Sequence, residues 1–158
     1  ISIKFYSRIA EFLFMFGGGQ DFDKVVDLVN SWIPNEEYGH EKEFQKELQN
    51  FLEKQLNEKQ KDAFGLGSQQ NYEVSRERGT SRADIAINDE IGIEMKRDFS
   101  NSQEKKLEGQ INNQLDKYNF VIVCACGIKD KDGWNRLKNQ VWRTARNRDG
   151  SAASRIYS

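Results

Sequence analysis

Ser81-Arg82-Ala83-Asp84-Ile85-Ala86-Ile87-Asn88-Asp89-Glu90-Ile91-Gly92-Ile93-Glu94-Met95-Lys96 reads as two strands joined by a turn at Asn88-Asp89-Glu90. Asn and Asp favour such turns because they tolerate left-handed backbone and bond to their own main chain. Successive side chains of a strand point to opposite faces. Ile91, Ile93 and Met95 therefore share one face, and Glu94 and Lys96 share the other. Ile85 and Ile87 oppose Asp84 in the same way. If the two strands form a hairpin, two carboxylates and one ammonium converge on one patch. Such a patch can hold a divalent cation with an amine beside it, which suits metal-assisted phosphodiester hydrolysis.

Outward from this hairpin the pattern alternates between helix and strand. Upstream, Phe44, Leu48, Phe51, Leu52 and Leu56 fall on one stripe of a helix expected over 39–58. Glu41 projects onto the side of Phe44 and Leu48, at the entrance of the apolar stripe, where an unpaired carboxylate is costly. Helix N-termini also favour acids through the macrodipole, and Glu47 is a substitute candidate on the same helix. A first strand is expected over 71–78, with Tyr72 and Val74 inward. Downstream, a helix over 102–117 carries Leu107, Ile111, Gln114, Leu115 and Tyr118 on one face, Gln114 being a polar residue on an inward stripe. Phe120-Val121-Ile122-Val123-Cys124-Ala125-Cys126 is continuously apolar, as suits a strand covered on both faces. A last helix follows Gly133-Trp134, with Leu137, Val141 and Trp142 as its stripe. The order is helix, three strands, helix, strand, helix.

The flanks are less regular. The Phe-rich residues 3–16 are expected to form a helix, broken by Gly17-Gly18-Gly19, and Asp21 or Asp23 then caps a second helix that ends before Pro34-Asn35. Residues 1–37 thus read as an N-terminal helical extension, either an accessory element or the tail of a preceding domain. Residues 38–149 read as the main domain, and 150–158 as a flexible tail.

The chain has 158 residues, 31% of them charged and 11% aromatic, which suits one compact domain with a hydrophobic core. A net charge of −1 gives no overall basic footprint and counts against a passive DNA coat protein. Charge is uneven: from Lys129 to Asp149 seven Lys or Arg face three Asp, a net of 7 − 3 = +4. Arg136, Lys138, Arg143, Arg146 and Arg148 there could meet phosphates, or form a solvated basic helix face. Cys124 and Cys126 are two apart on a strand, which is no C-x-x-C redox or zinc pattern, and reduced buried thiols in a cytoplasmic protein are expected. No run of 18 apolar residues marks a transmembrane helix, so no membrane partner is expected. The first residue is Ile rather than Met, which leaves open a larger multidomain parent chain, and a homodimer is equally open.

Asp84, then Glu94-Met95-Lys96, then Gln114-Leu115-Asp116-Lys117-Tyr118 resemble in order and spacing the motifs of the PD-(D/E)xK nuclease superfamily. The Gln-x-x-x-Tyr element resembles the branch that includes RecB-like and lambda-exonuclease-like nucleases. The likeness covers about residues 38–145, and Ala83 stands where the name-giving proline would be. It implies a restriction-endonuclease-like α/β core, α-β-β-β-α-β, with a mixed sheet flanked by helices. It also implies a DNA-cleaving enzyme using Mg²⁺ or Mn²⁺, held by Asp84, Glu94, the Met95 carbonyl and Glu41, since the family often places a third acid at the start of the first core helix. Lys96 would orient or help deprotonate the attacking water. Gln114 would reach the site or the DNA backbone, and Arg82, Tyr118, Arg136 and Arg143 are further candidate DNA contacts. Arg82 has an alternative as an ion-pair partner of Asp84 or Glu94. His40, the only histidine, is expected to be a helix-start residue. The competing expectation is a non-catalytic nucleic-acid- or protein-binding domain, in which Glu94 and Lys96 form a salt bridge across an exposed sheet face.

Overall fold

The computed structural model describes residues 10–15, 19–58, 71–76 and 82–149. The expected tail over 150–158, the loop over 60–70, and Arg78 lie outside them. The elements are β1 (Ala10–Met15), α1 (Gln20–Ser31), α2 (Glu41–Asn57), β2 (Val74–Ser75), β3 (Ile85–Ile87), β4 (Ile91–Phe99), α3 (Asn101–Leu115), β5 (Phe120–Ile128) and α4 (Lys131–Asp149). The five strands form one mixed sheet in the order β1-β5-β4-β3-β2. Only β4 and β5 are parallel, and α3 supplies the crossover that parallel neighbours require. From α2 onward the order is the expected helix, three strands, helix, strand, helix.

Strand parity divides the interior into two layers. Ile91, Ile93 and Met95 of β4, with Ile122, Cys124 and Cys126 of β5, pack against the apolar stripes of α1 and α2. Val121, Val123 and Ala125 of β5 pack with Leu107 and Ile111 of α3 and with Trp134 and Leu137 of α4. Helices therefore cover both faces of the central strands, which is why β5 is apolar at every position from Val121 to Cys126.

Three features depart from expectation. The helix expected over 3–16 is a strand where it is described: Ala10–Met15 pairs antiparallel with β5, from Ala10↔Cys126 to Met15↔Val121. Without it the outer edge of β5 would present a row of unpaired backbone groups, and a Phe-rich stretch has the β-propensity to fill that edge. The second helix of the extension forms as expected, with Gly19 rather than an Asp as its N-cap, and packs into the same apolar layer as α2. The strand expected over 71–78 is paired only at Val74–Ser75, although Tyr72 is buried, its main chain held by both polar atoms of Asn57.

The β3–β4 turn is the expected one, with Asn88 and Asp89 at φ 52° and 54°. A second left-handed site, Asp98 at φ 51°, sits where the β4–β5 register passes from Arg97↔Cys126 to Phe99↔Ile128 and leaves Asp98 without a strand partner. The irregularity reverses side-chain parity. Met95 belongs to the α1/α2 layer, but Phe99 lies in the α3/α4 layer, edge-on to Trp134 at 5.2 Å. Among the described residues no helix is long and apolar enough to cross a membrane.

Gly92 lies under the Tyr118 ring: a Cβ added there would stand 2.6 Å from Tyr118 Cδ2 and 3.1 Å from the Ala83 Cβ. Gly92→Ala should destabilise the chain by about 1–3 kcal/mol, the usual cost of overpacking. Combination with Tyr118→Leu should be less than additive, since the two changes share one contact. Urea unfolding of the single and double variants checks both statements.

Candidate functional site

The site begins with a strand edge that has lost its neighbour. β3 pairs with β4 only as far as Ile85↔Ile93, and β4 then runs on to Phe99 with β5 on one side alone. Buried backbone groups need partners, and side chains supply them at this edge. The Met95 N–H donates to Asp84 Oδ2 at 2.7 Å, and the Arg97 N–H donates to Glu41 Oε2 at 2.9 Å. The Met95 carbonyl accepts from Lys96 Nζ at 2.9 Å. Asp84 is one register step beyond Ile85↔Ile93, opposite Glu94, and cross-strand partners share a face. The N-terminus of α2 brings Glu41 to the same edge from a distant part of the chain.

Behind the edge lies Glu94, only 1% exposed. Its Oε1 accepts from Lys96 Nζ at 2.5 Å and from Gln110 Nε2 at 2.8 Å, and its Oε2 accepts from Gln114 Nε2 at 2.5 Å. Gln110 and Gln114 are one turn apart on α3 and so lie on one face of it. Their own carbonyl oxygens are buried and find no hydrogen-bond donor among the described residues. Lys96 Nζ also stands 3.9 Å from Glu41 Oε1.

The electrostatics follow from this crowding. Burial pushes the Asp84 carboxyl up, and the Glu94 charge pushes it further. The Met95 N–H and the Lys96 charge pull the other way, and the result is about 7 against an ordinary 3.8. Burial alone would lower the Lys96 ammonium, but Glu94 and Glu41 more than offset it and hold it above its ordinary value. Asp84, Glu94, Glu41 and Lys96 thus share a half-buried corner, three acids against one ammonium.

The structure brings together Asp84, Glu94, Met95, Lys96, Glu41 and Gln114 from separate places in the chain. Between the two acids of α2 it separates the roles. Glu47 instead holds the segment after α1, accepting from Trp32 Nε1 at 3.1 Å, from the Asn35 N–H at 3.0 Å and from the Tyr38 hydroxyl. That last bond is the main cause of the Tyr38 phenol being pushed up to about 12. His40 is the N-cap of α2, as expected.

Several candidate DNA contacts do not join the site. Tyr118 is buried under the sheet face, where its ring packs over Gly92 and its hydroxyl accepts from the Ala83 N–H at 3.4 Å. Arg136 is exposed but engaged by Glu104 at 2.9 Å and by Asp130 at 3.8 Å, near the start of α3. Arg143 is exposed on α4, and Arg82 is exposed two residues before Asp84. Cys124 and Cys126 are buried and reduced, with Sγ atoms 4.0 Å apart.

No protein-family model, curated protein or solved structure matches this chain. What the arrangement can do rests on its own chemistry. Asp84, Glu94, Glu41 and the Met95 carbonyl supply only oxygen, the donor type of hard cations. Among the described residues no group of three or more His, Cys, Asp and Glu side chains closes around one point. Gln110 was not legible as a site residue. Its only signal is that it lies one turn before Gln114.

The raised Asp84 carboxyl has a definite consequence for stability. Between about pH 4 and 7 the folded chain holds a proton that the unfolded chain releases, so stability from this group falls as pH rises and is flat above about 7. Asp84→Asn, which keeps an acceptor for the Met95 N–H, should gain on the wild type across that window in EDTA. The gain should reach on the order of 2–4 kcal/mol at about pH 8. Thermal unfolding of both proteins at about pH 4, 6 and 8 tests it. A difference that stays constant with pH would contradict a titrating Asp84 as its cause.

Proposed function

We propose that the chain is a divalent-metal-dependent nuclease hydrolysing DNA phosphodiester bonds on a restriction-endonuclease-like core, in the Gln-x-x-x-Tyr branch of PD-(D/E)xK enzymes. The observation that carries this is the meeting of Asp84, Glu94 and Lys96 at one strand edge, with Glu41 and Gln114 converging there from two helices. The order of elements from α2 to β5 also supports it.

Mg²⁺ or Mn²⁺ fits the donor set: such ions are commonly held by one or two carboxylates, with waters completing the shell. A corner in which a carboxyl is pushed up to about 7 and three acids meet one ammonium is short of positive charge. Asp84, Glu94 and the Met95 carbonyl would hold the ion, with Glu41 beside them. When bound, the ion lowers the pKa of a water and offsets charge on the phosphate. Lys96 orients that water and stabilises developing negative charge, its ammonium kept charged by Glu94 and Glu41. Gln114 fixes the Glu94 carboxylate. Arg82 and Arg143, both exposed, would meet the DNA backbone.

One observation favours a second reading. Asp84, Glu41 and Lys96 all satisfy backbone groups of the open β4 edge, which a non-catalytic DNA- or protein-binding domain would equally need. Incubation with linear, circular, single-stranded and branched DNA under Mn²⁺ separates the two. Glu94→Ala should abolish cleavage, and excess EDTA should do the same. Lys96→Met should slow cleavage about 100-fold or more. It should retain or tighten Mn²⁺ binding, because Lys96 competes for Glu94 Oε1. A wild-type chain that cuts none of the four substrates supports the binding domain, and undiminished hydrolysis in EDTA overturns the metal mechanism.

A further inference from the structure

The family motif reaches the site through Gln114 alone, yet α3 delivers two amides to Glu94. Gln110 Nε2 donates to Oε1 at 2.8 Å and Gln114 Nε2 donates to Oε2 at 2.5 Å. An ionised carboxylate only accepts, so the Nε2 atoms, not the Oε1 atoms, must face it. Two donors on one rigid helix, one on each oxygen, fix the position of the carboxylate and also its plane. With Gln114 as the only amide, the plane would be fixed at Oε1 by the Lys96 ammonium alone.

Packing does not require this second glutamine. The neighbouring inward residues of α3, Leu107 and Ile111, are apolar and buried. Gln110 instead leaves its own carbonyl oxygen buried and without a donor among the described residues, as does Gln114, which is 1% exposed. The second donor also matters for Lys96. Oε1 is shared by Lys96 and Gln110, so Gln110 is the group that keeps Oε1 held whenever the ammonium turns towards another partner.

We propose that Gln110 is a positioning residue of the site, acting with Gln114 as a two-point clamp that holds Glu94 ready for a divalent cation. This rests on the metal-site reading above. The clamp makes Gln110 part of the conditions for cation affinity, although it ligates nothing itself. Partners of this kind typically change metal affinity about 10–100-fold.

The test uses the full chain with Mn²⁺ as the probe, its affinity measured by calorimetry and its fold by thermal unfolding in EDTA. Gln110→Leu fills the same space without the amide. It should melt within a few degrees of the wild type and bind Mn²⁺ about tenfold or more weakly. Gln110→Asn, one methylene too short to reach Oε1, should show the same loss and serves if the Leu variant does not fold. Glu94→Ala should bind no Mn²⁺ and calibrates the loss of the site. Wild-type affinity in both Gln110 variants, with binding abolished in Glu94→Ala, overturns the clamp and leaves the metal site standing. No binding by the wild type itself overturns the metal site and the clamp with it.

Discussion

The edge of β4 beyond Ile93 is the constraint from which the rest follows. A parallel pair needs β4 long enough to match β5, but β3 stops after three residues. The main-chain groups of Met95 and Arg97 are left facing outward in a corner too enclosed for water to serve freely. Asp84, Glu41 and Lys96 satisfy them. The backbone thereby positions the charged groups, and the charged groups complete the backbone. This reciprocity explains how residues 56 positions apart, Glu41 and Arg97, come into contact with no loop built for the purpose.

Crowding three acids against one ammonium is costly unless each charge has a partner. The chain meets the cost with neutral amides rather than more cations. Gln110 and Gln114 hold Glu94 without cancelling its charge, which in the proposed metal site would keep the corner attractive to a cation from solution. An arginine in place of either glutamine would stabilise the buried carboxylate more strongly and quench that attraction. The same economy appears at Glu47, where a tryptophan, a tyrosine and a main-chain amide surround a carboxylate with neutral donors.

How much of this could be read from the sequence depended on the range of the interaction. Parity placed Glu94 and Lys96 together because alternation along one strand is local, and the Asn88-Asp89 turn carried Asp84 to them. Glu41 and Gln114 were legible through helical spacing, helped by a resemblance to a family motif that nothing among known proteins tests. Gln110 was not, because a half-buried glutamine at the margin of a stripe looks like any surface residue until its partner is known. The strand Ala10–Met15 was misread for the same reason: its partner, Val121–Cys126, lies far along the chain, and nothing local distinguishes an apolar strand from an apolar helix. Tyr118 and Arg136 lie away from the Asp84–Glu94–Lys96 corner, because a motif gives proximity in sequence but not the direction of a side chain.

The left-handed residue Asp98 has an effect on how the molecule comes apart. By reversing parity, it makes β4 serve the α1/α2 layer through Ile91, Ile93 and Met95 and the α3/α4 layer through Phe99. One strand is therefore stitched into both halves of the interior, and β5, apolar on both sides, is stitched in beside it. Neither layer can open without withdrawing residues from the other. The amides of β4 and β5 belong to a single cooperative unit, whose exposure to solvent exchange requires global unfolding rather than the loss of one layer.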